Sequence, residues 1–198
     1  MAGDSAEVWY NDANGNQVGT TLQTLRFDVN YRDDSLDIAT EPNAAITVTV
    51  AGRASMHVQA DASGRFHPNR DTPWEPTRPD IQPGDVVTVE AGGTTSRVSP
   101  VGTINAKINP AQSTVVAIIM GLALPRPLRV RCDLWLSNGP PGVDATVQAD
   151  GSYLCDFKTV GWSLRAGPDV AVRYFQPDGD AVINLFQLLG VYLPVLRR

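Results

Sequence analysis

An internal repeat limits the folds that this 198-residue chain can adopt. The segment Val58–Phe66, VQADASGRF, recurs at Val147–Tyr153 as VQADGSY, with two turn residues deleted and an offset of 89 residues. Two further pairs follow in the same order, Ile81–Val89 with Leu164–Val172 and Leu25–Asn30 with Ile104–Asn109. Ordered matches whose offsets drift predict duplicated domains with loops of different length.

Alternating apolar and polar residues predict that the repeats consist of β-strands. In the run Leu128–Leu136, the even-numbered positions are all apolar, and a period of two places them on one buried face of a strand. The apolar run Val115–Leu124 is rich in β-branched residues and is followed by prolines, so we expect a buried strand there as well. The 17 glycines and 15 prolines between such runs are typical of an all-β chain.

The turn motifs resemble those of bacterial Ig-like repeats, which occur in tandem in large secreted and surface proteins. The resemblance rests on the QAD turn at 58–66, the PGDVVTV strand at 83–89 and the hairpin turns Asn14-Gly15-Asn16 and Asp178-Gly179-Asp180. It implies two tandem Ig-like β-sandwich domains and a non-catalytic spacer, adhesive or ligand-binding role in a secreted or cell-surface bacterial protein.

The repeat predicts four segments. Residues 1–19 form an N-terminal β-hairpin that is either the remnant of a preceding repeat or an added sheet edge. Residues 20–102 and 103–188 are the two sandwich domains, and 189–198 is an apolar C-terminal tail. The hairpin and the tail are the two candidate routes to self-association, because unpaired sheet edges and exposed apolar segments attract partners.

Composition and motifs exclude several other functions. With 16 basic and 21 acidic residues, a net charge of −5 and no basic cluster, the chain is a poor candidate for binding nucleic acid. Its longest apolar run is about ten residues, half of what a membrane-spanning helix needs. His57 and His67 have no counterpart in the second repeat, and no nucleophile or metalloprotease motif occurs, so we predict that the chain is not an enzyme.

A proline-rich loop in the first repeat offers a candidate ligand-binding site. Trp74, Arg70 and Arg78 lie in this loop, which is four residues longer than its counterpart in the second repeat. Loops on a rigid sandwich are common binding sites, so a protein or glycan surface is the predicted partner. A carbohydrate-binding module, or an accessory domain of a secreted hydrolase, is the alternative function. In the other interpretation of this loop, Trp74 folds back over the end of the core.

Two hairpin turns are candidate calcium sites. Asp12, Asn14 and Asn16 alternate around Gly15, as oxygen ligands do in calcium loops, although the terminal bidentate glutamate of an EF-hand is missing. Asp178 and Asp180 form a second candidate, and apart from possible calcium no cofactor is expected. Both segments also fit ordinary Asx-Gly hairpin turns.

The two cysteines are predicted to point into the core of the second repeat. Cys132 lies on the apolar face of its strand, at the position that Val50 occupies in the first repeat, and Cys155 shares a face with Tyr153 and Phe157. They form either a disulfide or two buried thiols.

Overall fold

The computed structural model describes residues 5–11, 14, 17–68, 72–121, 127–135, 142–165 and 167–187. The chain is all-β and sandwich-like, as the alternating pattern predicts. Apart from one 3₁₀ turn at Phe157–Val160, the regular elements of these ranges are strands. None of the described segments is a helix with the length and hydropathy that crossing a membrane requires.

The strands in chain order are β1 (Ser5–Asn11), β2 (Gln17–Gln23), β3 (Arg26–Asn30), β4 (Ser35–Ala39), β5 (Ala45–Val50), β6 (Ala54–Gln59), β7 (Arg65–Phe66), β8 (Val87–Ala91), β9 (Thr94–Val98), β10 (Thr103–Asn109), β11 (Thr114–Met120), β12 (Leu128–Leu134), β13 (Val143–Val147), β14 (Ser152–Asp156), β15 (Asp169–Phe175) and β16 (Ala181–Gln187).

Contacts divide the chain into two compact units. Unit 1 takes the described residues of Met1–Thr103, Gly121–Leu124 and Phe175–Val182, and unit 2 takes those of Ile104–Met120, Pro125–Tyr174 and Ile183–Arg198. The tandem domain boundaries expected from the sequence, 20–102 and 103–188, stay a prediction.

Unit 1 contains two sets of hydrogen-bonded strands, in the orders β3-β4-β7 and β6-β5-β8-β9. Alternate residues are buried along β4, β5 and β8, because the side chains of a strand point to opposite faces in turn. In β3, all four residues from Phe27 to Asn30 are buried. The core formed in this way includes Phe27, Val29, Leu36, Ile38, Ile46, Val48, Val50, Val87 and Val89.

Unit 2 repeats this plan, with the strand orders β10-β11-β14 and β13-β12-β15-β16. Leu128, Val130, Cys132 and Leu134 are all buried, which confirms the predicted face of β12, while Leu136 lies outside the described residues. The predicted strand at 115–124 is present as β11, which ends at Met120.

One turn is built in the same way in both units and fixes how they correspond. The Gly64 N–H donates to the Asp61 carbonyl at 3.0 Å, and the Gly151 N–H donates to the Gln148 carbonyl at 3.0 Å. Both glycines have positive φ, 76° and 89°, where a Cβ would be strained. Gly64 therefore corresponds to Gly151, as the repeat predicts.

The strand that precedes this turn does not align between the two units as the repeat predicts. Counting back from the glycines places Ala60, and not Val58, at the position of Val147. Ala60 and Val147 are both buried, whereas Val58 is only half-buried. The predicted match of Val58 with Val147 is wrong by two residues, because the pairing in unit 1 continues without a gap to the Ala60 N–H, which donates to the Ala44 carbonyl.

This shift also changes the counterpart of Cys132. Val48 pairs with Met56 in unit 1, and Cys132 pairs with Val143 in unit 2. Met56 and Val143 hold the same position relative to the shared turn, so Val48, and not Val50, corresponds to Cys132.

The N-terminal hairpin consists of β1 and β2, which pair in register from Ser5↔Gln23 to Asn11↔Gln17. Among the described residues these two strands form a two-stranded sheet of their own. Its interpretation as the remnant of a preceding repeat or as an added sheet edge stays a prediction. β2 continues to Gln23, past the predicted boundary at residue 19.

Candidate functional site

Trp74, for which the sequence left open a ligand contact or a fold back over the core, is buried in unit 1. Its side chain is 7% exposed, and its indole Nε1 has no hydrogen-bond partner among the described residues. The neighbouring Glu75 pairs with Ser55 of β6 through two backbone hydrogen bonds of 2.9 and 2.8 Å. The loop therefore extends the edge of β6, which turns Trp74 inward and leaves no exposed aromatic face for a ligand.

The C-terminal end of this loop is held by the turn between β3 and β4. The Arg78 guanidinium donates to the carbonyls of Asp33 and Asp34 at 3.0 and 2.9 Å, and the Ile81 N–H donates to the Asp34 carboxylate at 2.7 Å. Arg78 thus contacts the protein's own backbone. Arg70 lies outside the described residues, so the predicted group of Trp74, Arg70 and Arg78 is not brought together within them.

Asp180, one of the predicted calcium ligands, is fully buried in unit 1. One carboxylate oxygen accepts the Phe27 N–H at 2.9 Å, and the other accepts the Ser96 hydroxyl at 2.5 Å. Asp178 accepts the Asp180 N–H at 3.2 Å, which is an ordinary Asx-turn contact. Both oxygens of Asp180 are therefore bound to protein donors.

Burial raises the pKa of Asp180 to about 6. The hydrogen bonds from Ser96 and from the Phe27 N–H oppose this increase, and the neighbouring charges of Asp178 and Asp28 add to it. Desolvation, which disfavours the charged form of a carboxyl group, explains this direction.

The first candidate calcium turn is described only in part. Asn14 lies in an exposed turn, while Asp12 and Asn16 are outside the described residues. Within the part of the chain that is described, no group of three or more His, Cys, Asp or Glu side chains is placed to hold a metal ion.

Cys132 and Cys155 form a disulfide with a Cα–Cα distance of 6.3 Å. Both residues are fully buried. Cys132 belongs to β12 and Cys155 to β14, so the bond joins the two strand sets of unit 2.

The two histidines contact neighbouring strands. A ring nitrogen of His57 lies 3.1 Å from the Thr47 hydroxyl, and a ring nitrogen of His67 lies 3.4 Å from an Asp37 carboxylate oxygen. These are pairwise contacts of exposed histidine side chains.

Sequence reasoning missed the exposed apolar side chains of unit 2. Trp135 is 58% exposed, and Val116 and Leu154 are 50% and 55% exposed. The sequence does indicate this exposure. Val115 and Val116 are consecutive residues of one strand, so their side chains must point to opposite faces of the sheet.

No family model matches the sequence, and no curated protein sequence matches it. Several solved structures of bacterial adhesins do match. A structure concerned with the host cell surface retention of a 1.5-MDa bacterial ice-binding adhesin is 13% identical, over 92% of this chain and 72% of that chain, with a TM-score of 0.32.

Two other matches span about half of the structure compared. A Ca²⁺-stabilized adhesin that helps an Antarctic bacterium to bind ice is 16% identical, over 92% of this chain and 55% of that chain, with a TM-score of 0.29. A tetra-tandem repeat from the extending region of a large adhesion protein is 17% identical over the same shares, with a TM-score of 0.32. TM-scores this low assign neither a fold nor a function, so the function of this chain has to come from its own residues.

Proposed function

We propose that this chain is a non-catalytic structural module in which two sandwich repeats maintain spacing within a secreted or cell-surface protein. The observation that carries the proposal is the buried disulfide Cys132–Cys155, which joins the two strand sets of unit 2. Such bonds form and persist in oxidising compartments outside the cytosol.

The disulfide suits a unit that must stay folded. It closes a sequence separation of 23 residues, which corresponds to about 3 kcal/mol of stabilisation in the chain-entropy model. Because it joins strands of different sets, the core cannot open at that point while the bond is intact.

The loop of unit 1 fits the same role. Trp74 fills core space, Glu75 adds backbone pairing to β6, and Arg78 ties the loop to a neighbouring turn. The residues that the sequence offered as a ligand site are thus used to strengthen the unit, which favours a structural function for this loop.

Single-molecule pulling tests the proposal. We expect discrete unfolding events at well-defined forces, as in a module built to hold its length. Reduction of the disulfide should lengthen the extension gained from unit 2 by roughly 80 Å, the contour length of the released 23 residues. The variant with Cys132→Val and Cys155→Val should show the longer extension with or without reductant. Smooth extension without unfolding events would contradict the proposal.

An adhesive contact with a glycan is a second candidate function, and the exposed Trp135 favours it. Its side chain is 58% exposed, whereas Trp74 is buried. An exposed indole can stack on the apolar face of a sugar ring. Glycan-array binding by the full chain that is lost in Trp135→Ala and retained in Trp162→Ala would support this function, and an array without binding would reject it.

A further inference from the structure

One carboxyl group connects the two strand sets of unit 1. Asp180 ends the turn at 176–180, which belongs to unit 1, and its side chain is fully buried. One carboxyl oxygen accepts the Phe27 N–H of β3 at 2.9 Å, and the other accepts the Ser96 hydroxyl of β9 at 2.5 Å. Because β3 and β9 belong to different strand sets, the side chain of Asp180 ties the sets to each other and to the turn.

Unit 2 joins its strand sets with different chemistry. There the disulfide Cys132–Cys155 links β12 to β14. A disulfide has no proton to lose, so its strength does not follow the protonation of the protein. A carboxyl group does change its charge with pH. The connection in unit 1 can therefore respond to pH in a way that the disulfide of unit 2 cannot.

The turn that carries Asp180 is closed by hydrogen bonds of its own. The Gln176 N–H donates to the Asp180 carbonyl at 2.7 Å, and the Gly179 N–H donates to the Gln176 carbonyl at 3.0 Å. The Asp180 N–H donates to the Asp178 carboxylate at 3.2 Å. These bonds do not involve β3 or β9, so the turn can keep its shape when the bonds of the Asp180 side chain break.

Both protonation states of Asp180 can make the two side-chain bonds, but the charged state is less favourable in this place. A neutral carboxyl group can donate its proton to the Ser96 oxygen while its other oxygen accepts the Phe27 N–H. A carboxylate can accept both donors. The carboxylate, however, carries a full charge that is removed from water, and this costs free energy that the neutral group does not lose.

The charged groups around Asp180 act in the same direction. Burial raises the pKa of Asp180 to about 6, and the negative charges of Asp178 on its own turn and of Asp28 on β3 contribute to the increase. Arg26 shares with Asp28 the face of β3 that points away from the core. On β9, Arg97 points to the exposed face, opposite to the residue that bonds Asp180. Ionisation therefore favours a state in which the carboxyl group has left its buried position.

We propose that Asp180 is a pH-controlled latch, in which the neutral side chain holds the turn at 176–180 on β3 and β9 and ionisation releases it. The closed state binds the proton more tightly than the released state, so the latch is closed in acid and opens as the pH rises through 6. With pKa values of about 6 in the closed state and 3.8 in the released state, the ratio of released to closed turn should rise by about 50-fold between pH 4 and pH 7.

Native-state hydrogen exchange of single amides, followed by NMR in the full chain, tests the latch. The Phe27 amide loses its acceptor when the turn is released, so its protection factor should fall by about 50-fold between pH 4 and pH 7 after correction for intrinsic exchange. The Ala60 amide, which donates to the Ala44 carbonyl in the same unit, is the reference. It should remain the more protected of the two across this range.

Two variants assign the effect to the carboxyl group. Asp180→Asn cannot ionise, and its amide can still accept the Phe27 N–H and donate to Ser96, so the protection of Phe27 should become independent of pH. Asp178→Asn is the matched control, because it removes a neighbouring charge and keeps the buried carboxyl group; most of the pH dependence should remain. If Asp180→Asn fails to fold, the carboxyl carbon signal of Asp180 in the wild type should titrate with the same midpoint as the loss of Phe27 protection.

Three outcomes overturn the proposal. Equal protection of Phe27 and Ala60 at every pH would mean that the turn is released only when the whole unit unfolds. A pH dependence that persists in Asp180→Asn would belong to another group. A carboxyl carbon signal of Asp180 that titrates near pH 4 would mean that the closed state has no preference for the proton.

Discussion

Units 1 and 2 share one strand plan but are stabilised by different means. Val48 in unit 1 and Cys132 in unit 2 hold the same position, and both are fully buried. In unit 2, Cys132 is bonded to Cys155 on the opposite strand set. In unit 1, the long loop adds backbone pairing to β6 and places Trp74 in the interior.

The difference shows that this arrangement of strands does not require one particular stabilising feature. A covalent bond removes entropy from the unfolded chain, while a buried indole removes apolar area from water in the folded chain. At about 3 kcal/mol for such a disulfide and about 3 to 5 kcal/mol for a buried tryptophan, both are expected to raise the free energy of unfolding by comparable amounts. The loop insertion that distinguishes the repeats is therefore explained by stability in unit 1, in line with the interpretation in which Trp74 folds back over the end of the core.

The largest expected effect comes from Trp74→Ala, which should lower the free energy of unfolding of unit 1 by about 3 to 5 kcal/mol, the usual cost of removing a buried tryptophan. Chemical denaturation followed by fluorescence measures it. Trp162→Ala in unit 2 is the control, because that side chain is 37% exposed and should cost much less. Equal losses in the two variants would mean that Trp74 does not support the core.

The double variant Cys132→Val and Cys155→Val should destabilise unit 2 by about 3 kcal/mol. Valine at position 132 reproduces Val48 of unit 1, and valine at both positions keeps the core apolar, so the loss comes from the missing bond. Thermal unfolding with and without reductant gives the measurement. The wild type should respond to reductant and the variant should not; a wild type that is indifferent to reductant would refute the stabilising role.

Asp180 should make the free energy of unfolding of unit 1 depend on pH. Its folded pKa is about 6, above the ordinary value of 3.8, so the folded state binds the proton more tightly than the unfolded state. The stability gained from this proton is complete at low pH and is lost as the pH rises through 6. Between pH 4 and 7 the free energy of unfolding should decrease by about 2 kcal/mol from this group.

Denaturation across this pH range in wild type and Asp180→Asn measures the contribution. The variant should lose most of the slope, because it has no proton to release. Asp178→Asn, which removes a neighbouring charge and keeps the buried carboxyl, should retain most of it. A slope that survives in Asp180→Asn would assign the pH dependence to another group.

The smallest expected effect on stability comes from the glycine turn that both units share. Gly64→Ala and Gly151→Ala place a Cβ at positive φ, which should cost about 1 to 2 kcal/mol in each unit. Ala62→Gly and Ala149→Gly, at matching positions of the same turn, are the controls. Clearly unequal costs for the two glycines would show that the turns are not equivalent in energy.

Much of the fold follows from local patterns, because strand faces and glycine turns are encoded in neighbouring residues. The buried face of β12 and the matching turns at Gly64 and Gly151 are examples. The error in matching Val58 to Val147 arises because identical letters were aligned, while the structure preserves the number of residues between the paired strand and the turn.

The candidate sites were harder to predict because their contacts are distant in sequence. Asp180 accepts hydrogen bonds from Phe27 and Ser96, which are 153 and 84 residues away, so its turn looks like any Asx-Gly hairpin. The burial of Trp74 depends on the pairing of Glu75 with Ser55, which no local pattern encodes. The inward direction of Cys132 and Cys155, by contrast, followed from strand parity.

Hydrogen exchange resolved by peptide tests most directly whether each unit has its own stabiliser. Exchange is compared in the wild type, in Trp74→Ala and in the reduced protein. We predict that Trp74→Ala loses protection in β5, β6 and β8 while β11, β12 and β14 keep theirs, and that reduction gives the opposite pattern. Loss of protection in the same strands under both changes would contradict the account.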